Sequence, residues 1–299
     1  MIEIRSVVAA TDFSAPARRA VDRAAGLAQA AHASLALVHA VNASALNELR
    51  RWLDTGGDVE RSILDELRER LHELATETAA RYRIDVEECA VTGRPVDEIA
   101  RLADEREADL IVTGTLGAGL FRNLIVGSTA ERLVKKSARP VLMVRQSPRD
   151  AYRRVLVPVD FSRWSAPSLE IATAVAPDAH FVMVHCLEVP FEGRLRRAGV
   201  DDRAIAKYRT AARDDARRRM AQLAARSGLA NNRWTSLTPS GLDPWMQIVR
   251  QEQEQDCDLI AIAKHGRNAV EDLLLGSTTN MVIAEGSSDV LVSARAEAA

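Results

Sequence analysis

The residues best placed to do chemistry are Gly114-Thr115-Leu116-Gly117 and, nine residues later, Gly127-Ser128-Thr129, a G-x2-G-x9-G-S spacing. A glycine at a strand end lets backbone N–H groups approach phosphate oxygens with no Cβ in the way. Gly127 and Ser128 read as the opening of a helix, where free N–H groups and the helix dipole favour negative charge. The hydroxyl of Ser128 or Thr129 would reach a phosphate, or a metal bridging phosphates. Between the glycines, Leu120, Phe121, Leu124, Ile125 and Val126 would tie the loop to a sheet and leave a cleft between its ends. Glycine before a helix is often only turn chemistry. The second glycine-serine, together with Asp12 ending an apolar run near the N-terminus, weighs the spacing toward phosphate binding.

Other polar residues carry less. His39 and His185 end matching apolar runs in different parts of the chain and read as structural histidines, and His265 reads as a loop histidine near a cleft rather than a base. Ser240-Gly241-Leu242-Asp243 precedes Pro244 and reads as helix capping by Ser240 or Asp243. Residues 194–226 hold Arg213, Arg217, Arg218 and Arg219 among Asp201, Asp202, Asp214 and Asp215. No aromatic residue interleaves with Arg213, Arg217, Arg218 and Arg219 to stack bases, so the run reads as a solvated helix face with local ion pairs, and no nucleic-acid partner is expected. No G-x4-G-K-[ST] loop occurs, so no catalytic residue is assigned, and no metal-ligand set either.

These residues sit in a repeat. Val7-Val8-Ala9-Ala10-Thr11-Asp12-Phe13-Ser14 returns as Val155-Leu156-Val157-Pro158-Val159-Asp160-Phe161-Ser162, at an offset of 160−12 = 148. Val38-His39 returns as Val184-His185 (185−39 = 146), Ala108-Asp109 as Cys257-Asp258 (258−109 = 149) and Gly127-Ser128 as Gly276-Ser277 (276−127 = 149). The expected domains are residues 1–146 and 151–299, joined by a short polar linker containing Pro148.

Each half alternates Val- and Ile-rich runs with longer segments of helical spacing. In the first half the strands are expected at 4–10, 34–39, 84–90, 109–113 and 140–144, and the helices at 15–31, 59–81, 95–107 and 127–138. The stretch 40–83 is expected to break at Gly56-Gly57 into a variable surface segment and a following helix. Continuous apolar runs suit strands buried on both faces, and alternation with helices implies right-handed crossovers. The fold class is therefore α/β, two tandem doubly wound domains of five parallel strands, with ligands bound beyond the carboxyl ends where strand order reverses.

The strand ending Thr11-Asp12-Phe13-Ser14, the Val38-His39 end, Ala108-Asp109-Leu110-Ile111-Val112, Gly93-Arg94-Pro95, the glycine loop and Pro140-Val141-Leu142-Met143-Val144 together resemble the universal stress protein family in its tandem form. The resemblance covers nearly the whole chain. It implies a Rossmann-like domain, similar to the adenine nucleotide alpha hydrolases, that binds ATP, ADP or AMP with Mg²⁺ and pairs through its last strand. By position it implies that Asp12 bonds the ribose or adenine and that the backbone at Ala10 and Ala40 lines the adenine pocket. Thr113, Gly114, Gly117, Gly127, Ser128 and Thr129 would hold the phosphates. The second half departs from the pattern: Ala263 replaces the first glycine, ahead of Lys264, His265 and Gly266, while Gly276 and Ser277 remain. Pro158 and Asp160 still match the adenine side. A weaker, emptied or reassigned second site is expected, with Lys264 solvated.

Composition sets outer bounds. Charged residues make up 27% and leave a net charge of −2, which demands neither a polyanion nor a membrane surface. The three cysteines are far apart, which suits a reducing compartment rather than a disulfide framework. With no run approaching the roughly 20 apolar residues of a membrane span, the chain is expected to be soluble and cytoplasmic. The expected role is a nucleotide-binding regulatory module of the stress response, with a slow ATPase or phosphotransferase and a ligand-free scaffold as alternatives. A homodimer of the whole chain is left open.

Overall fold

The computed structural model describes residues 2–52, 58–115, 128–148, 150–187, 194, 197–241, 243–266 and 275–294. The first half runs β1 (Ser6–Ala10), α1 (Ala15–Ala31), β2 (Ser34–Asn42), α2 (Ala43–Trp52), α3 (Asp58–Tyr82), β3 (Val86–Gly93), α4 (Pro95–Glu105), β4 (Leu110–Gly114), α5 (Ser128–Lys136) and β5 (Val141–Val144). The second runs β6 (Arg154–Pro158), α6 (Ser165–Val175), β7 (His180–Val184), α7 (Asp202–Arg226), β8 (Trp234–Leu237), α8 (Pro244–Glu254), β9 (Leu259–Ala263), α9 (Ser277–Glu285) and β10 (Asp289–Ser293).

Among the described residues, ten strands form one sheet in the order β3-β2-β1-β4-β5-β10-β9-β6-β7-β8. Pairing is parallel within each half. It is antiparallel only at the centre, where β5 meets β10 with Leu142 opposite Leu291. The carboxyl ends of the two sets of strands therefore lie on opposite rims of the sheet. Residues of alternate parity pack on its two faces, which explains the unbroken apolar runs. Val7, Ala9, Leu110 and Val112 lie under α1 and α3, a layer continued by α6 and α7. Val8, Ile111, Val141 and Met143 lie under α4 and α5, a layer continued by α8 and α9.

Local chemistry fixes the element ends. Ser14 caps α1 by accepting the Ala17 amide, with Pro16 inside the first turn, and His32 ends the helix in the left-handed region at φ 54°. The repeated Asp109 and Asp258 anchor strand starts. Asp109 accepts the amides of Arg5 (2.8 Å) and Ser6 (3.1 Å), and Asp258 those of Arg153 (2.8 Å) and Arg154 (3.1 Å). Two expectations need correcting. Residues 43–52 form α2, held to α3 by the Arg50–Glu60 ion pair, where a variable segment was expected. Asp243 stands at the N-cap of α8 without a side-chain capping bond, so Pro244 alone marks that start. The arginine-rich segment forms α7, capped by Asp201, with Arg218 paired to Asp215 at 2.9 Å on an exposed face.

A buried acid fastens the linker to the seam. Asp289 is fully buried and accepts the Tyr152 hydroxyl at 2.6 Å and the amides of Arg145 (2.7 Å) and Gln146 (3.0 Å). Arg23 of α1 lies 3.6 Å from the same carboxylate and stacks over the Tyr152 ring at 4.0 Å. Removing one partner of such a group strands the others without water. Asp289→Ala is expected to lower the unfolding free energy by about 3–5 kcal/mol in urea titrations. A loss below about 1 kcal/mol would mean that this cluster contributes no more than an exposed ion pair.

Candidate functional site

β1 is flanked by β2 on one side and β4 on the other, so the strand order reverses there and a crevice opens beyond its carboxyl end. Asp12 lies at that end. One of its oxygens accepts the Ser14 amide at 3.1 Å, while the Thr11 hydroxyl accepts the Phe13 amide at 3.1 Å. These bonds hold a tight turn in which Phe13 takes φ 63°, a conformation costly for a bulky side chain. The second half repeats it, with Phe161 at φ 61° and the Ser162 amide 2.9 Å from Asp160.

The histidines explain how the turn is kept. The His39 Nδ1 lies 2.8 Å from the Thr11 carbonyl and that of His185 2.7 Å from the Val159 carbonyl, so each Nδ1–H donates to the turn. Phe13 stacks on His39 at 4.5 Å and Phe161 on His185 at 4.5 Å. Arg70 and Arg219 cover the two phenyl rings at 4.6 Å and 4.0 Å. Their separation is 219−70 = 149, so the arginines belong to the repeat as well. Sequence reading missed Arg70 and placed Arg219 only on a solvated helix face, because their helices lack a block of matching neighbours. Burial pushes the His39 imidazole below its ordinary value, against a smaller upward pull from the Thr11 carbonyl.

At the end of β4, Gly114 carries a second constraint besides access for a ligand. A Cβ there would sit 2.9 Å from the Pro16 carbonyl carbon and oxygen and 3.1 Å from the Ala17 nitrogen. The glycine thus lets the first turn of α1 close onto the strand. Thr113 is buried, and its hydroxyl bonds the Gly114 carbonyl at 3.2 Å. α5 begins at Ser128, with Thr129 exposed in its first turn. Ala10 is buried at the end of β1, and Ala40 lies half-buried on β2. Gly117 and Gly127, with the apolar residues between them, lie outside the described residues.

In the second half, several polar groups of the corresponding region bond to one another. Pro158 ends β6, and Asp160 accepts the Ser165 hydroxyl at 2.9 Å as well as the Ser162 amide. Its other oxygen would stand 3.3 Å from a Cβ at Gly266, so the loop after β9 comes down beside the carboxylate. The Gly276 amide, at the N-cap of α9, donates to the Lys264 carbonyl at 3.0 Å. Ser277 is exposed. The α1 and α6 starts differ by 165−15 = 150, two more than the aspartates, which admits the buried Trp164. Trp164 packs on the buried His265 at 4.8 Å.

Lys264 departs from expectation. It is 5% exposed rather than solvated, and its ammonium donates to the Lys135 carbonyl at 2.6 Å, in the other half of the chain. Burial pushes its pKa down.

Elsewhere, a groove of about 770 Å³ runs past Ser6, His32, Arg83, Asp85 and Arg106 at the amino ends of β1–β3, on the rim opposite Asp12 and Gly114. Its Arg106 is paired with Glu87. Among the described residues no group of three or more His, Cys, Asp or Glu stands ready for a metal, and no helix is long and apolar enough to cross a membrane.

Comparison with known proteins agrees with this arrangement. The profile of the Universal stress protein family matches residues 3–145 and again 151–294. A universal stress protein of Mycobacterium tuberculosis is 32% identical over 150 residues, 48% of this chain and 98% of that protein. A putative universal stress protein of Staphylococcus aureus is 31% identical over 146 residues, 48% of this chain and 86% of that protein. The crystal structure of a universal stress protein from Archaeoglobus fulgidus shares the fold across 98% of this chain and 99% of its own, with a TM-score of 0.69 at 20% identity.

Two outcomes follow for the site region. Gly114→Ala, in the absence of any ligand, should cost about 1–3 kcal/mol in urea unfolding through overpacking against α1, whereas Ala263→Gly should cost about 1 kcal/mol or less. Equal costs would mean that the approach of α1 to β4 is not tight. Because the folded chain resists protonating His39, the unfolded chain takes up the proton first as pH falls below about 6.5. The fold loses stability from there down to the depressed folded value. Melting temperatures across that window should fall less steeply for His39→Gln than for wild type, and parallel curves would show that His39 does not contribute.

Proposed function

The chain belongs to the universal stress protein family, and from that premise we propose that its N-terminal half binds ATP or a related adenine nucleotide as a regulatory module of the stress response. The domains are taken as residues 1–146 and 151–299. One observation carries the reading: Asp12 and Gly114 stand at the adjacent carboxyl ends of β1 and β4, where the strand order reverses. Asp12 would bond the ribose or adenine beside the backbone of Ala10 and Ala40. Gly114 and Thr113 at the end of β4, Gly117 and Gly127 in the loop, and Ser128 and Thr129 at the α5 N-terminus would receive the phosphates. A Mg²⁺ ion would be held chiefly by phosphate oxygens, with the Ser128 or Thr129 hydroxyl as a protein ligand, in keeping with its preference for few protein groups.

The second half is read as the weaker partner. Its Gly276 amide already donates to Lys264, and its Asp160 already accepts from Ser162 and Ser165. A phosphate there would have to displace bonds that the chain makes to itself. Pairing of the halves through β5 and β10 supplies the sheet continuity that two separate domains would otherwise seek from a partner.

Titration calorimetry of the full chain with Mg·ATP tests this. One nucleotide should bind per chain. Asp12→Ala should weaken binding by about tenfold or more, about 1.4 kcal/mol, and Asp160→Ala should leave it within about twofold. Absence of both binding heat and a melting-temperature shift in wild type would overturn the proposal. Two equivalent sites would overturn the assignment to one half.

A further inference from the structure

The two halves cap each other's last helix with a cation, buried at Lys264 and half-buried at Arg145. Arg145, just after β5, donates to the carbonyls of Gly286 and Ile283 at the C-terminal end of α9. Lys264, just after β9, donates to the carbonyls of Lys135 (2.6 Å) and Ser137 (3.4 Å) at the C-terminal end of α5. A helix C-terminus leaves carbonyls unsatisfied and carries partial negative charge, so each cation meets a complementary end.

The two caps are not equivalent. Lys264 occupies the loop position that Thr115 holds in the first half (264−115 = 149), whereas Arg145 corresponds to Ala294 in the second (294−145 = 149). The Lys264 backbone is fixed at both of its polar groups. Its amide donates to the Ser293 carbonyl at 2.7 Å, and its carbonyl accepts the Gly276 amide. The residue therefore joins the end of β10, the start of α9 and the end of α5. α5 has nine residues and spans about 13 Å. Its far end, Ser128 and Thr129, lies on the rim that holds Asp12 and Gly114, because α5 runs antiparallel to the strands of its half.

We propose that Lys264 is a positioning residue for the nucleotide site of the other half: it fixes α5 from its C-terminal end and so sets where the N-terminal amides of α5 stand. The proposal rests on the nucleotide reading above. It makes the second half's loop, with its internal bonds, a regulator of the first half's site rather than a lost copy of it. Anything that pulls the Lys264 backbone away from Gly276 or Ser293 releases α5. By reciprocity, nucleotide bound at the first site stabilises the bonds that Lys264 makes to Ser293 and Gly276.

The test uses the full chain in four forms: wild type, Lys264→Met, Lys264→Arg and Arg145→Met. Mg·ATP affinity is measured by calorimetry, and amide hydrogen exchange of the nucleotide-free chain by mass spectrometry. Lys264→Met should weaken ATP binding about tenfold and speed exchange in residues 130–136, and Lys264→Arg should recover most of both. Arg145→Met loosens the same seam at the other helix, so it should speed exchange in residues 279–285 and leave ATP affinity within about twofold. Unchanged affinity in Lys264→Met, or equal losses in Lys264→Met and Arg145→Met, would overturn the proposal. The first outcome removes the coupling, and the second reduces it to general loosening of the seam. If wild type binds no ATP, the nucleotide reading fails first. Exchange in α5 then decides the capping role by itself: faster in Lys264→Met retains it, and unchanged rejects it.

Discussion

A parallel sheet that stops at its fifth strand exposes a row of unpaired amide and carbonyl groups, and each half of this chain ends on such a strand. The antiparallel meeting of β5 with β10 removes both exposed edges at once and makes one sheet of ten strands. The surroundings of the seam are built to hold it there. Asp289 gathers the linker amides and Tyr152, Arg23 reaches in from α1, and the two helix caps cross in opposite directions. Residues that look local in sequence therefore take their environment from the other half.

That dependence separates what the sequence made legible from what it did not. Strand positions were readable because runs such as Leu110–Gly114 are buried on both faces and carry the signal within themselves. A parallel, doubly wound sheet followed from the alternation of strands and helices, whereas the reversal at β1 is seen only in the strand pairing. Lys264 was misread because lysine in a polar loop is ordinarily solvated. Its burial needs α5 of the other half beside it, which no local window contains. α2 was missed for a different reason. It is a ten-residue amphipathic helix tied to α3 by one ion pair, too short for its pattern to stand out from a surface segment.

The candidate site was legible in outline and less so in the reasons for each residue. Gly114 was recognised by its place at a strand end, yet the structure gives it a packing duty against Pro16 that would require glycine with or without phosphate. Asp12 was recognised from its repeat, but the stack of His39, Phe13 and Arg70 that holds its turn required the fold. In the second half, the single change at Ala263 proved a small part of the divergence. The inserted Trp164 and its contact with His265 also change the region around Asp160.

Covalent fusion of the halves has a consequence that two separate copies could not reach. A twofold pair of identical subunits must present the same residue at equivalent points on either side of its axis. Here one side of the quasi-axis carries Thr115 and the other Lys264, and one strand end carries Arg145 where its counterpart has Ala294. Joining the copies in one polypeptide freed each to mutate against a partner that does not mutate with it. The tether thereby turned a symmetric contact into a directional one.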